Sequence, residues 1–248
     1  MVQNSVSFSS LNSHGIFNVV STRLWKSVNP FVGYEAVQRI SAGLGLQKIE
    51  QVLHRIIFAE QVHDSRVHIC QPEDGGSIRL SVDALISNNP NHILAIYSSD
   101  CIPLLLYDPE NKVVGAIHAG YKGLSRGIIS NVLKAFETNF NSDTSKIIVG
   151  IAPFIRVCCY EVRDDIFTLI EASNWQSYLK SNFGKFFLDL GSIVKNQLIE
   201  FGVSPSRIED LEICTSCRSD LFFSVRNRQP EEERGSCFVS LISLSQLN

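Results

Sequence analysis

The chain has 248 residues, 44% of them hydrophobic, and a formal net charge of −3, enough apolar material for one large core. That balance gives no reason to expect nucleic-acid binding, whose affinity rests on clustered Lys and Arg, and no apolar run approaches the roughly eighteen residues of a membrane span. Seven cysteines, an odd number scattered behind an N-terminus with no export pattern, point to a reducing, cytoplasmic setting with thiols free or metal-bound rather than to a disulfide framework.

Residues 1–14, rich in Ser and Asn, are expected to be a flexible N-terminus, and residues 15–248 a single domain. Gly15 to Thr22 reads as a strand and Glu35 to Leu46 as a helix closed near Gly45. Ile56 to Ala59 and Arg66 to Ile69 read as short strands, with His63 on the turn between them. Asp83 to Ser87 and Ile93 to Ser98 follow, the second running into Ser98-Ser99-Asp100-Cys101. Ile102 to Tyr107 and Val113 to His118, joined by Asp108-Pro109-Glu110-Asn111-Lys112, make the strongest hairpin signal. Gly120 to Phe140 has helical spacing. Beyond it come a strand from Lys146 to Ile151, helices at Asp164 to Ala172 and Leu188 to Phe201, and closing strands at Arg207 to Cys214, Phe222 to Arg226 and Cys237 to Ile242. Strands and helices do not alternate regularly and one hairpin is antiparallel, so an α+β layered fold with mixed sheets is expected.

The hairpin brings two reactive side chains together. Pairing Tyr107 with Val113 sets Ile102 opposite His118 and Cys101 opposite Ala119, so Cys101 and His118 meet at its open end. A thiolate beside an imidazole suits metal binding or a nucleophile–base pair; the alternative is a buried cysteine beside a strand-capping histidine. A catalytic zinc site uses three protein ligands, and spacing alone does not select the third. Cys214 and Cys217 form a Cys-x-x-Cys pair with no second pair or histidines following, and adjacent Cys158 and Cys159 read as packed thiols near a site wall. Glu231-Glu232-Glu233 reads as a solvated loop.

Six motifs in order, Gln61-Val62-His63, Asp83-Ala84-Leu85-Ile86, Ser99-Asp100-Cys101-Ile102-Pro103, Gly115-Ala116-Ile117-His118-Ala119-Gly120, Cys158-Cys159-Tyr160-Glu161-Val162 and Phe222-Phe223-Ser224-Val225-Arg226, resemble the bacterial YfiH-like, or laccase-domain, family over residues 15–242. The resemblance implies a four-layer α/β/β/α arrangement with mixed sheets, and metal ligands at His63, Cys101 and His118. It implies a zinc enzyme, with copper able to enter adventitiously, acting on purine nucleosides and phosphate. The reactions would be phosphorolysis of adenosine, inosine, guanosine or methylthioadenosine and hydrolytic deamination of adenosine. Within that reading Asp100 is the nearest acid or base, and Arg23, Lys122 and Arg226 are the candidate phosphate-orienting cations.

The chain departs from the family where Tyr121-Lys122-Gly123 replaces Trp-Arg-Gly, exchanging a bidentate guanidinium for a point charge, and where the stretch from Arg23 to Gln61 is shortened. Three other readings stay open: a Cys-His hydrolase with Cys101 as nucleophile and His118 as base, a copper-loaded polyphenol oxidase as the family was earlier labelled, and a non-catalytic nucleoside-binding module. Oligomeric state is not legible.

Overall fold

Runs such as Ile102–Asp108 and Val113–Ala119 carry almost no polar residue, and every position in them is buried. A strand buried on both faces needs a layer on each side, and that requirement organises the molecule. The computed structural model describes residues 4–28, 33–162 and 164–247, the side chains of residues 164 and 165 excepted.

In chain order the first half contains β1 (Ser5–Val6), α1 (Ser9–Asn12), β2 (Phe17–Ser21), α2 (Tyr34–Gly43), α3 (Glu50–Leu53), β3 (Ile56–Ala59), β4 (Val67–Ile69), β5 (Ser77–Arg79), β6 (Ala84–Ser87), β7 (Ile93–Ser98), β8 (Ile102–Asp108) and β9 (Val113–Ala119). The second half adds α4 (Tyr121–Ser125), α5 (Ile128–Phe140), β10 (Ile148–Ile151), β11 (Glu161–Val162), α6 (Asp164–Ala172), β12 (Leu179–Asn182), β13 (Lys185–Leu188), α7 (Leu190–Glu200), β14 (Ile208–Asp210) and β15 (Phe238–Ser243). Two six-stranded mixed sheets, in the orders β1-β2-β15-β7-β3-β5 and β14-β10-β8-β9-β6-β4, are accompanied by a small antiparallel sheet, β11-β13-β12.

Side-chain alternation sorts the strands into layers. Ile57, Leu94, Ile96 and Phe238 of the first sheet meet Leu85, Leu105, Val114 and Ala116 of the second in one inter-sheet core. The opposite face of the first sheet, with Ile56, Phe58 and Ala95, packs on Val37 and Ile40 of α2. The opposite face of the second, with Leu104, Leu106 and Ile117, packs on Ile129, Val132 and Phe136 of α5 and on α7. The order is helices, sheet, sheet, helices, as the expected α+β four-layer arrangement requires. Among the described residues no helix is long and apolar enough to cross a membrane.

Several local expectations are corrected. Residues 4–14 are not a loose tail: β1 pairs with β2, Phe8 and Leu11 are fully buried, and Ser9 and Ser10 donate backbone N–H groups to the Glu209 carboxylate. Phe8 is placed by its contact with Gly150, where a Cβ would stand 2.7 Å from its ring. Residues 1–3 lie outside the described residues.

The β8–β9 register is one residue away from the expected one. Asp108 pairs with Val113 and Tyr107 with Val114, so Ile102 faces Ala119 and Pro103 faces His118. The cause lies in the turn, where the Asp108 carboxylate accepts the N–H groups of Glu110 and Asn111 and Lys112 takes a left-handed φ of 54°. Asp108 thereby closes the ladder. The Gly120–Phe140 helix is broken at Gly127, whose φ is 80°, into α4 and α5. Phe222 to Arg226 is a loop, because the Ser224 hydroxyl and the Arg226 N–H are spent on Asp100 instead of a neighbouring strand.

Candidate metal centre

Three strand ends meet at one rim of the sandwich. His118 lies in β9 on the inter-sheet side and is only 3% exposed, Cys101 stands between β7 and β8, and His63 is on the loop leaving β3. The Cys101 Sγ and one ring nitrogen from each histidine lie within 4.8 Å of one another. The two imidazoles stand edge to face, centroids 4.7 Å apart.

Asp83 fixes this arrangement. Fully buried at the start of β6, its carboxylate accepts the backbone N–H groups of Val62, His63 and Asp64 at 3.1, 3.0 and 2.8 Å. It also accepts His118 Nδ1–H at 2.7 Å, leaving Nε2 for the rim. The three amides hold His63 at a φ of 60°, a left-handed conformation that a non-glycine residue keeps only when its surroundings impose it. Gly120, directly after β9, completes the cradle: a Cβ there would stand 3.1 Å from both the Cys101 Sγ and His63 Cδ2.

The electrostatics follow from this packing. Burial would raise the Asp83 carboxyl, but the hydrogen bond from His118 and the backbone amides hold it below the ordinary range. Burial likewise opposes charge on Cys101 and His118, yet their mutual attraction, the hydrogen bonds that His118 and His63 donate to the sulfur and the one that His118 donates to Asp83 prevail. The Cys101 thiol is brought down to about 6 and His118 raised to about 9. The pair is a thiolate beside an imidazolium, whose Nε2 proton a binding cation would displace to solvent.

The donor set fits a zinc-like ion. Bonds of about 2.0 Å to nitrogen and 2.3 Å to sulfur place two nitrogens and a sulfur roughly 3.3–3.5 Å apart in a tetrahedral site, compatible with the observed spread. A soft thiolate with two imidazoles also suits zinc or copper better than magnesium or calcium. Three protein donors leave a coordination direction open toward an adjoining cavity of about 420 Å³, whose walls include Gln61, Tyr97, Tyr121, Ile155, Tyr160 and Arg226.

The other expected site residues are spread unevenly. Asp100 lines the cavity, but its oxygens accept from Thr215 Oγ1 at 2.6 Å, Ser224 Oγ at 2.8 Å and the Arg226 N–H at 3.0 Å. Burial pushes its pKa up despite these donors. Arg226 is at the cavity, its guanidinium 5.1 Å from the Tyr160 ring centroid and donating to the Glu161 carbonyl at 2.7 Å. Arg23 is not in the cavity wall: its guanidinium is paired with Glu232 and lies over Phe223. Glu232 is therefore no member of a solvated loop, its side chain being only 5% exposed. Lys122 is exposed on α4, outside the wall, with its ammonium 5.8 Å from the Tyr121 ring. Asp83 stands in one of the six motifs but was given no role there; its signals were that motif and a lone carboxylate opening the fully apolar Ala-Leu-Ile run.

Two further groups of metal-type donors occur among the described residues. His68, Cys70 and Asp74 are explained without an ion, because Asp74 accepts from His68, Arg79 and the Gln71 N–H. Cys158, Cys159, Cys214 and Cys217 are the other group.

The family model described as multi-copper polyphenol oxidoreductase laccase matches residues 30–245. The chain belongs to that family. A purine nucleoside phosphorylase of Bacteroides thetaiotaomicron is 27% identical over 209 residues, covering 79% of this chain and 77% of that protein. The purine nucleoside phosphorylase YlmD of Bacillus subtilis is 30% identical over 195 residues, covering 75% of this chain and 70% of that protein. Among solved structures, the hypothetical protein YfiH of Bacillus licheniformis superposes with a TM-score of 0.83 at 25% identity, over 98% of this chain and 97% of that one. These matches agree with the YfiH-like resemblance and its layered fold.

Proposed function

We propose that this chain is a zinc-dependent purine nucleoside phosphorylase that also deaminates adenosine, with His63, Cys101 and His118 as metal ligands. The observation that carries the reading is the convergence of those three donors on the floor of a cavity walled by three tyrosines and an arginine. It is supported by relatives that bear the name purine nucleoside phosphorylase. A zinc ion held there would supply a Lewis acid and lower the pKa of water to about 7.

The protein's own groups divide the remaining work. Tyr97, Tyr121 and Tyr160 offer aromatic surface for a flat base. Arg226, steered over Tyr160, is the cation placed to orient phosphate, a task for which Arg23 is unavailable because Glu232 holds it. In phosphorolysis phosphate attacks the anomeric carbon, the C–N bond breaks and the base leaves, so products are the free base and ribose 1-phosphate. In deamination water replaces the exocyclic amine, releasing ammonia and leaving inosine. Asp100 acts as a positioning residue for the Arg226 loop, since its oxygens already accept three hydrogen bonds.

A Cys-His hydrolase is the second reading, favoured by the Cys101–His118–Asp83 line, which matches nucleophile, base and orienting acid. The second imidazole, from His63, on the same sulfur argues against it, because it would occupy the electron pair a nucleophile needs. Polyphenol oxidation is disfavoured by donor chemistry: multi-electron transfer needs several coppers with many histidines, and of the chain's six only His63 and His118 converge. Purified protein incubated with adenosine, inosine, guanosine or methylthioadenosine, with and without phosphate, and read by product chromatography tests the proposal. Release of base only with phosphate is expected, and H118A should fall to background while staying folded by circular dichroism. Full activity in H118A, or no product from any nucleoside, overturns it.

A further inference from the structure

The four remaining clustered cysteines come from two turns far apart in sequence. Cys158 and Cys159 lie in the turn after Phe154, closed by the N–H groups of Cys159 and Tyr160 donating to the Arg156 carbonyl, each at 2.9 Å. Cys214 and Cys217 bracket a second turn, whose start is tied to the first by a parallel bridge between Phe154 and Cys214. That bridge brings into register what sequence spacing left as two unrelated pairs. The Cys217 sulfur is 3.6 Å from Cys158 Sγ and 3.3 Å from Cys159 Sγ, and all four sulfurs lie within 4.8 Å of one another. No disulfide joins any of them.

We propose that Cys158, Cys159, Cys214 and Cys217 form a second metal site, a closed tetrathiolate for one zinc-like divalent ion. Zinc–sulfur bonds of about 2.3 Å put the sulfurs of a tetrahedral site about 3.8 Å apart, close to the two measured separations, whereas a multi-iron cluster needs room between its thiolates for several irons and bridging sulfides. The backbone behaves as in a metal-binding turn: the Arg156 N–H donates to the Cys214 sulfur at 3.4 Å and the Cys217 N–H is directed at the same atom. With four protein donors no coordination position is left for substrate, which makes the site structural. Binding releases the thiol protons to solvent.

The position of the site gives it a purpose. The first turn leads directly to Tyr160 in the cavity wall, and Thr215, inside the second turn, donates to Asp100 beside Cys101. An ion joining the turns clamps that wall from behind.

The test uses full-length protein purified under reductant without added metal or chelator. Elemental analysis is expected to find about two ions per chain in the native protein and about one in each of two variants, H118A and the double variant C158S/C217S. Cobalt loaded into H118A should give the strong sulfur-to-metal absorption of a tetrathiolate, lost on adding C158S/C217S. If the double variant fails to fold, alkylation mapping of native protein serves instead: the four thiols should be protected as purified and reactive after chelation. Metal that vanishes entirely in H118A, free alkylation of all four as purified, or a non-reduced mass lowered by disulfide formation overturns the proposal. Because H118A leaves the tetrathiolate intact, failure of the nucleoside reading and failure of this one are separable.

Discussion

The two thiol-bearing centres are built in opposite ways. At the His63–Cys101–His118 centre the donors hang from or beside strand ends, and one buried carboxylate ties the loop of His63 to the ring of His118. At the four-cysteine cluster the donors sit on turns at the surface, with Cys158 and Cys217 exposed, and the segments meet through one isolated bridge, the Arg156 N–H on the Cys214 sulfur and the Arg156–Asp210 pair rather than through a shared ladder at the cysteines. Sheet packing and Asp83 preorganise the first centre before any ion arrives; the second gains much of its order from the ion itself.

The largest effect that sharpens this contrast is expected from D83N. Losing the buried charge behind His118 should weaken metal binding at the first centre by about 10–100-fold while the tetrathiolate keeps its ion, as read by competition with a chelating dye. Equal weakening at both centres would mean they are not independently built. Next comes thiol reactivity in chelator-stripped protein. Cys101, with a pKa near 6, is thiolate at neutral pH, whereas Cys217 is pushed up to about 11 by its hydrogen bond with Cys159 and Cys158 is raised by burial. Iodoacetamide should therefore modify Cys101 first although it is less exposed, and as pH falls through 6 its rate should drop about tenfold per unit as the thiolate is protonated. Faster labelling of Cys217 at neutral pH would reverse the assignment. The smallest effect concerns mobility: limited proteolysis of stripped protein should rise several-fold within residues 156–160 or 214–218 and stay unchanged at 61–64. Cleavage rising first at the Asp83-bound loop would place the weak point in the wrong centre.

One side of this contrast was partly legible in the sequence, and the limits are physical. The apolar runs that became β3, β7, β8 and β9 announce themselves because they are buried on both faces. Cys101 and His118 could be paired because a hairpin is local; even with the register slipped by one the strand ends remain adjacent. His63 and Asp83 could not be joined that way, since their contact depends on loop amides accepted by a carboxylate twenty residues along the chain. The four-cysteine cluster escaped for the same reason, its two halves meeting only through contacts non-local in sequence, among them the Phe154–Cys214 bridge and the Arg156–Asp210 pair. Phe8 and Leu11 were hidden by polar neighbours, which disguised a core segment as a tail.

The strand order β2-β15-β7 carries a consequence for biosynthesis. β15 is translated long after the two strands it separates, so a growing chain holds the first sheet open down its middle, with β2 and β7 both lacking a neighbour. Until that late strand slots in, the rim bearing Cys101 has no finished floor beneath it, and those unpaired edges are the surfaces on which a stalled or trimmed polypeptide would aggregate.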